Sequence, residues 1–270
     1  MSYKLGIIGF GNIAKAIVNP LLEKNYLDPD QVYCLVKSSK SLDNIKNSYP
    51  YKINVFLADS SDSKLVWNSP VKILSVKPQQ LDDLIEISPT KNQSNTIVSI
   101  LAGVSLNRLE KKFPNHNCVR AITNIPILVR QGLTGITWGS KISEDKKVFI
   151  KNIFQNSSKI YEMPEDYLDI FLSLTSSAPA IVALIIDSLS DGGLSGGLNK
   201  QLSEELVIEM ILGTILLLKE TNIGTSELRN MVTSPGGTTI SALNVLENRS
   251  FRSALIEAII AAKNKSKEFS

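Results

Sequence analysis

The first 163 residues alternate between short apolar runs, typical of buried strands, and amphipathic helical patterns. Strand patterns cover residues 3–8, 32–36, 53–56, 71–76, 96–101, 118–122, 133–138 and 159–161. Helical patterns lie between them, the first over residues 13–25 and the last over 144–154. Strands that alternate with helices at this spacing predict an α/β domain built on a doubly wound parallel sheet.

After Met163-Pro164 the strand patterns stop, and the remaining sequence is helical in pattern. This change predicts a sheet domain over residues 1–163 and an all-helical domain over residues 164–270. The helical patterns at 202–220 and 251–268 carry apolar faces that a lobe of about a hundred residues is too small to bury. Because an uncovered apolar face indicates a partner, the sequence predicts dimerisation through the helical domain.

A glycine-rich turn joins the first strand to the first helix, and it has the GxGxxA form of a dinucleotide-binding fingerprint. Gly9 permits the tight turn, Gly11 lets a phosphate approach the backbone, and the small Ala14 lets the helix pack on the strand. The pattern predicts a Rossmann domain whose pyrophosphate contacts are Gly9, Gly11, Asn12, Ile13 and Ala14. The alternative is a plain strand-to-helix turn.

Lys37-Ser38-Ser39-Lys40 follows the second strand, where NAD-binding folds place an acidic residue that accepts hydrogen bonds from the ribose hydroxyls. No acidic residue stands there in this chain. Two lysines and two serines can instead neutralise and hydrogen-bond a 2′-phosphate, which favours NADPH and makes Lys37 and Ser38 candidate ligands. NADH is kept as a second cofactor, and a solvated charged loop is the alternative interpretation.

The sequence MVTSPGGTTISALNVLE at residues 231–247 ends one helical pattern and starts another. A proline followed by two glycines forces a turn, and glycine can leave its N–H groups facing outward. The next helix is expected to have Thr238 or Thr239 as its N-cap. N–H groups beside a positive helix end, together with two hydroxyls, suit a small carboxylate. A simple connector between helices is the alternative.

The string SPGGTT resembles the signature of pyrroline-5-carboxylate reductases, which make proline by reducing a cyclic imine with a nicotinamide cofactor. The resemblance implies that this stretch is the substrate loop and that Thr239 is the catalytic hydroxyl beside the imine nitrogen. The family's VKPQ and SIxAGV motifs, which border the nicotinamide, occur here as VKPQ and SILAGV. They imply cofactor contacts at Val76, Lys77, Pro78 and Ala102. The alternative for Lys77 is to cap a helix or to pair with Asp82 or Asp83.

Two segments depart from the family's pattern. The run RAITNIP keeps the family's arginine, asparagine and proline, which implies a cofactor contact at Asn124, but Ile125 replaces a threonine. Where the family has GSGPAY, residues 176–181 read SSAPAI. The central serine, Ser177, is kept, whereas both glycines and the tyrosine are lost. The side chains of Ser176 and Ala178 would narrow an approach of the backbone to a substrate.

The resemblance implies NADPH-dependent reduction of 1-pyrroline-5-carboxylate to L-proline. The implied substrate contacts are Ser177, Ser234, Gly236, Gly237, Thr238 and Thr239. It also implies an interlocked homodimer through the helical domain, with further assembly into a ring of dimers left open. Two other interpretations remain: a reductase of a different cyclic imino acid, favoured by the altered residues 176–181, and a non-catalytic NADP-binding regulatory protein.

Composition limits the remaining classes. A net charge of +3 without a long basic run does not indicate a nucleic-acid partner. Cys34 and Cys118 lie in apolar runs and are expected to be buried thiols in a reducing compartment. The single histidine, His116, is expected in a surface turn, and the absence of a metal-binding motif predicts no metal. No signal-peptide pattern or span of ~20 apolar residues is found, so a cytoplasmic location without a membrane partner is expected.

Overall fold

The computed structural model describes residues 4–87 and 95–268; Tyr3, where the first predicted strand begins, lies outside this range. Within the described residues, eight strands form one sheet in the order β3-β2-β1-β4-β5-β6-β7-β8. The strands are β1 (Leu5–Ile8), β2 (Val32–Val36), β3 (Asn54–Leu57), β4 (Val71–Leu74), β5 (Thr96–Ser99), β6 (Asn117–Thr123), β7 (Gly132–Trp138) and β8 (Ser158–Glu162).

Neighbouring strands are parallel except for β6 and β7, which are antiparallel. The strand order reverses between β1 and β4, so the doubly wound α/β prediction is confirmed. The antiparallel pair differs from the expected all-parallel sheet. Its cause is the short connection over residues 124–131, because a parallel crossover needs about a dozen residues or more.

Helices follow most of the strands and make up the C-terminal sequence. They are α1 (Asn12–Glu23), α2 (Ser39–Ser48), α3 (Ser63–Trp67), α4 (Leu81–Ile87), α5 (Leu106–Lys112), α6 (Glu144–Gln155), α7 (Leu168–Leu172), α8 (Ala178–Ser195), α9 (Lys200–Thr221), α10 (Thr225–Met231), α11 (Thr238–Asn248) and α12 (Phe251–Lys267). A π-helical segment, Ser173–Ser177, joins α7 to α8.

Apolar side chains cover both faces of the sheet. All four residues of β1 and all four of β4 are buried, as expected for central parallel strands covered on both sides. Ile7 and Ile73 pack into the cluster on one face, and Ile8 and Leu74 into the cluster on the other. The central strands therefore hold the loops that follow them on a buried support.

The chain divides into two compact units. The sheet unit comprises residues 1–176 and 262–270, and the helical unit comprises residues 177–261. The division lies beyond residue 163 because Arg120 pairs with Glu165 and Asp169, and Ser266 donates to Asp169 at 3.0 Å. These bonds hold the start of the helical sequence and the end of α12 in the sheet unit.

Within the helical unit, α8 and α9 pack closely. A Cβ added to Gly193 would lie 2.1 Å from the Oγ of Ser203, so only glycine fits there. The Ser203 hydroxyl donates to the carbonyl of Ser190 at 2.7 Å. The pair of helices is thus joined by a small-residue contact and a buried hydrogen bond.

Among the described residues, one helical run is long and apolar enough to cross a membrane by length and composition. It is Glu165–Ser195, with a mean hydropathy of 1.9 over an 18-residue window of which 11% is buried. Its exposed apolar residues include Leu184 and Leu189. The same exposure continues along α9, for example at Leu206 and Met210, so the apolar surface extends over several helices.

Candidate functional site

The predicted cofactor residues all follow strands that run in the same direction. Residues 9–14 follow β1, residues 37–38 follow β2, residues 76–78 follow β4, Ala102 follows β5 and Asn124 follows β6. Since the carboxyl ends of parallel strands meet at one edge, the structure brings these residues to the edge where doubly wound folds bind ligands.

The glycine turn after β1 is shaped by close backbone packing on one side and open space on the other. Gly9 has φ +87°, and an added Cβ would lie 2.6 Å from the carbonyl oxygen of Ser75. Gly11 is the N-cap of α1, and nothing lies within 4 Å of a Cβ added there. The first turn of α1 carries no acidic side chain. An open backbone at a helix N-terminus fits a pyrophosphate.

The loop after β2 is cationic and rich in hydroxyls. Ser38 is the N-cap of α2, its hydroxyl accepting from the N–H of Ser41 at 3.2 Å. Lys37 and Lys40 are exposed on either side of this cap, and the first turn of α2 has no acidic residue. Sequence reasoning missed one contact, in which the Lys37 ammonium pairs with the carboxylate of Asp83, on α4, at 3.0 Å.

The segment after β4 opens with an exposed Lys77 and a 3₁₀ turn that begins at Pro78. The Lys77 N–H donates to the side-chain oxygen of Gln80 at 3.2 Å. Lys77 is the N-cap of this 3₁₀ turn, so the alternative in which it caps a helix is confirmed for its backbone. The alternative in which it pairs with an aspartate is wrong, because Asp82 pairs with Lys112 at 2.8 Å and Asp83 pairs with Lys37. The Lys77 ammonium therefore faces solvent at the carboxyl edge of the sheet.

The residue after β5, Ala102, is exposed at the same edge and precedes Gly103, which has φ +68°. Only a residue tolerant of the left-handed region suits that position, which explains the glycine of the SILAGV run. Ala102 thus presents its backbone and a single methyl group beside the segment that follows β4, the strand paired with β5.

Asn124 lies almost buried at the end of β6. Its Oδ1 accepts from the N–H of Leu133 at 2.7 Å, and its Nδ2 donates to the carbonyl of Thr175 at 3.0 Å. Thr175 belongs to the π-helical segment that precedes α8, and such segments are frequent at functional sites. The Asn124 carboxamide therefore positions three segments, and its cofactor contact stays a prediction.

Ser176, which replaces a glycine of the family pattern, is also tied to the end of β6. Its hydroxyl donates to the carbonyl of Thr123 at 3.1 Å. The added side chain is thus held against the backbone. Ser177 is the N-cap of α8, has a helical backbone conformation and makes no side-chain capping bond. Its substrate contact stays a prediction.

Arg120 is a buried residue that pairs with two carboxylates. The comparison of motifs identified it only as the arginine that the run RAITNIP shares with the family. Its side chain is 2% exposed, and it pairs with Glu165 at 2.9 Å and with Asp169 at 3.1 Å. Glu165 also accepts from the N–H of Leu106 at 2.7 Å. The only sign of this role in the sequence was a charged residue within an apolar strand pattern. The structure shows that its ion pairs stabilise the fold.

The SPGGTT loop lies between α10 and α11 of the helical unit. The N-cap of α11 is Gly237, so the prediction of Thr238 or Thr239 as N-cap is wrong. The turn closes at Gly237, whose N–H donates to the carbonyl of Ser234 at 3.0 Å and whose carbonyl accepts from the N–H of Ser241 at 3.3 Å, so the helix begins one or two residues earlier than expected. Gly236 has φ +70°, which favours glycine.

The start of α11 has no side-chain cap. The first N–H groups of a helix have no acceptor within it, so those at Thr238 and Thr239 are free to bind an anion. The Ser234, Gly236 and Thr238 positions are exposed, and Gly237 and Thr239 are half-buried. All the loop residues of the predicted carboxylate site thus lie within one turn.

The remaining reactive side chains of the described residues are buried or isolated. Cys34 and Cys118 are free and buried, as predicted, and burial raises the pKa of the Cys118 thiol to about 12. His116 lies in the predicted turn, where its N–H donates to the carbonyl of Phe113 at 2.9 Å, but it is half-buried rather than at the surface, with its ring edge-on to Phe113. Burial, and then the charge of Lys72, lower its pKa to about 4. In the described ranges, no three His, Cys, Asp or Glu side chains cluster as metal ligands.

A doubly wound sheet, an open glycine turn at the start of α1 and a cationic loop after β2 define a dinucleotide-binding domain of the oxidoreductase class. In agreement, residues 4–103 match the family model described as NADP oxidoreductase coenzyme F420-dependent. Residues 165–269 match the family model described as pyrroline-5-carboxylate reductase dimerisation.

Relatives match over the whole chain. The sequence is 37% identical to the pyrroline-5-carboxylate reductase of Synechocystis sp. over 268 residues, covering 99% of this chain and 98% of that protein. The fold is similar to that of a Coxiella burnetii pyrroline-5-carboxylate reductase, with a TM-score of 0.85 and 30% identity over 100% of this chain and 99% of that one. It is also similar to Plasmodium falciparum pyrroline carboxylate reductase with NADP bound, with a TM-score of 0.86 and 26% identity over 99% and 98% of the two chains. This chain belongs to the pyrroline-5-carboxylate reductase family.

Proposed function

We propose that this protein reduces 1-pyrroline-5-carboxylate to L-proline with NADPH, the last step of proline biosynthesis. The observation that carries the proposal is the joint presence of the open glycine turn in the sheet unit and the SPGGTT loop in the helical unit, in a chain whose relatives match end to end. A non-catalytic NADP-binding regulator would need the first feature but not the second.

The sheet unit supplies the cofactor contacts of the proposal. The backbone from Gly9 to Ala14 would hold the pyrophosphate, and Lys37 and Ser38 the 2′-phosphate. The nicotinamide half would lie against Val76, Lys77, Pro78, Ala102 and Asn124. The open approach to Gly11 and the exposed lysines and serine of the loop after β2 are the features of the structure that fit this group.

The helical unit supplies the substrate contacts. The N–H groups of Thr238 and Thr239 and the hydroxyl of Ser234 would hold the substrate carboxylate at the start of α11, where the helix end is positive. Gly237, whose own N–H donates to the carbonyl of Ser234 at 3.0 Å, would shape this turn around the substrate. Ser177 and Gly236 complete the proposed substrate set. A fixed carboxylate orients the ring of a small imino acid, which accounts for much of the rate enhancement in such a reaction.

The chemistry is a hydride transfer to a C=N bond. A bound NADPH would supply the hydride for the imine carbon, and the nitrogen would take its proton from solvent, so that the C=N bond becomes a C–N bond. Donation from the Thr239 hydroxyl to the imine nitrogen increases the positive character of the imine and makes its carbon a better acceptor. Because a threonine hydroxyl is a poor acid, Thr239 orients and stabilises rather than releasing a proton, an effect of at most ~10²-fold.

The proposal includes a cytoplasmic homodimer that associates through the helical unit. Its support is the match of residues 165–269 to the dimerisation family model and the exposed apolar surface of α8 and α9. A second subunit would cover this surface, which accounts for the apolar run Glu165–Ser195 without a membrane. Assembly into a ring of dimers stays an open part of the proposal.

A growth test addresses the function directly. Expression of this chain in a proline-requiring strain that lacks its own reductase should restore growth without added proline, and the Thr239→Ala variant should restore it poorly. A non-catalytic regulator predicts no growth with either version. Purified protein should oxidise NADPH when 1-pyrroline-5-carboxylate is added.

A different cyclic imino acid is the second candidate substrate. It is favoured by Ser176, Ala178 and Ile181, which replace two glycines and a tyrosine of the family pattern. The ratio of kcat/KM for five- and six-membered-ring imino acids separates the two. A ratio above one supports 1-pyrroline-5-carboxylate, and a ratio below one supports the larger ring.

A further inference from the structure

The cationic loop after β2 contains no acidic residue of its own, but an acidic side chain from another segment lies close to it. Asp83, in the first turn of α4, reaches the Lys37 ammonium at 3.0 Å. α4 follows β4, and β4 and β2 flank β1, so the ion pair joins segments that follow the two strands on either side of the glycine-turn strand. Both side chains are largely exposed, at 73% for Lys37 and 63% for Asp83.

This contact changes the charge that an incoming anion meets. Lys37 and Lys40 together carry two positive charges, and Asp83 cancels one of them at the atom that would contact a 2′-phosphate. An exposed ion pair is weak enough for a doubly charged phosphate to displace it. The displaced carboxylate still lies within a Debye length of the phosphate and repels it.

We propose that Asp83 determines how strongly this protein discriminates between NADPH and NADH, by competing with the 2′-phosphate for Lys37. The inference rests on the proposed function, since it concerns the phosphate ligand assigned to Lys37. It adds a residue outside the β2 loop to the determinants of cofactor choice. Asp83 lowers NADPH affinity and leaves NADH affinity nearly unchanged, because NADH has a ribose hydroxyl in place of the phosphate.

The neighbouring Asp82 provides a matched control. It lies in the same first turn of α4, and its carboxylate pairs with Lys112 at 2.8 Å rather than with Lys37. Asp83→Asn and Asp82→Asn therefore remove the same charge and the same favourable interaction with the helix N-terminus. Only the first of them releases Lys37.

The test is a titration of the full-length protein with NADPH and with NADH, followed by protein fluorescence at low salt. Asp83→Asn should tighten NADPH binding about fivefold, from the loss of one competing pair and one repulsive charge. NADH binding should change less than about twofold, and Asp82→Asn should change either affinity less than about twofold. At high salt the NADPH effect of Asp83→Asn should shrink.

A double-variant measurement tests the route through Lys37. Lys37→Gln should weaken NADPH binding, and adding Asp83→Asn to it should tighten NADPH binding by less than about twofold, because only the repulsion between the carboxylate and the phosphate is then left to remove. The inference is overturned if Asp83→Asn and Asp82→Asn have equal effects, if NADPH binds more weakly to Asp83→Asn, or if the full effect of Asp83→Asn persists without Lys37.

Failure of the inference is distinguishable from failure of the proposed function. If wild-type protein binds NADPH and forms proline but Asp83→Asn behaves like Asp82→Asn, the inference alone is overturned. If wild-type protein binds neither nucleotide, both are overturned. Thermal melting of each variant without nucleotide shows that the affinity changes arise in folded protein.

Discussion

The sheet unit and the helical unit differ most in what they bury. All the fully buried apolar side chains among the described residues, from Leu5 to Leu168, belong to the sheet unit. Residues 177–261 contribute none, and the buried residues there are Ser190 and Ser203. A unit of that size without a core of its own must obtain its stability from covered helix faces. The sheet unit can therefore fold around itself, whereas the helical unit depends on association.

The largest expected effect is on the buried ion pairs of the sheet unit. Arg120→Met leaves the carboxylate of Asp169 buried without its partner and should lower the free energy of unfolding by about 3–5 kcal/mol. Urea denaturation followed by fluorescence measures it. Arg130→Met, which removes an exposed pair with Glu23, is the control and should cost less than about 1 kcal/mol. Equal losses in the two variants would contradict the role of Arg120 as a buried partner of two carboxylates.

The next effect tests the dependence of the helical unit on association. Leu206→Glu places a charge on the exposed apolar face of α9 and should weaken the dimer about 10²-fold, close to 2.7 kcal/mol. Sedimentation at several concentrations measures the dissociation constant. Val148→Glu, on an equally exposed apolar site of α6 in the sheet unit, should leave it unchanged. A dimer that persists in Leu206→Glu but dissociates in Val148→Glu would contradict association through the helical unit.

The third prediction concerns the catalytic role of Thr239 in the helical unit. Thr239→Ala should lower turnover about 30-fold, near 2 kcal/mol in activation free energy, with NADPH affinity within about twofold of wild type. Thr239 is only half-buried, so thermal stability should change little. Steady-state rates and nucleotide titration separate the two quantities. Equal loss of turnover and of NADPH binding would contradict the catalytic assignment.

The smallest expected effect is a pH dependence confined to the sheet unit. Lys72 is fully buried on β4 and donates to the carbonyl of Ser69 at 2.9 Å. Burial, and then the charge of Lys146, lower its pKa from 10.5 to about 7. The unfolded chain therefore binds this proton more tightly between pH 7 and 10.5, and folding becomes more favourable as the pH rises through that window.

Removal of the amine should remove this dependence. The stability of wild-type protein relative to Lys72→Met should rise by about 1–2 kcal/mol between pH 7 and pH 9, below the limit of about 1.4 kcal/mol per pH unit for one proton. Urea midpoints at the two values measure it. The charge of Lys72 also acts on His116, whose pKa of about 4 keeps it neutral in this window. If the free energies of unfolding of the two proteins depended on pH in the same way, the assignment of this proton to Lys72 would be contradicted.

Sequence reasoning succeeded where a local pattern determines the local structure. Apolar runs located the strands of the sheet, and the spacing of Gly9 and Gly11 located the turn at the start of α1. The antiparallel β6–β7 pair was not expected, because strand direction depends on the length of a connection rather than on the strand itself.

The contacts that the sequence did not reveal are those between residues distant in the chain. The pairing of Lys37 with Asp83 and of Arg120 with Glu165 and Asp169 depends on the order of strands in the sheet. The N-cap of α11 was misassigned because a threonine is a better cap in isolation, whereas the turn between Ser234 and Gly237 starts the helix at Thr238. Local preference was overruled by the hydrogen bonds of the turn.

The central claim is that this chain transfers a hydride from NADPH to a cyclic imino acid, and isotope transfer tests it most directly. Purified protein, NADPH carrying deuterium at the transferable position of the nicotinamide, and 1-pyrroline-5-carboxylate should yield proline with one deuterium on the former imine carbon, detected by mass spectrometry. Proline without the label, or no proline while the nucleotide is bound, would contradict the account.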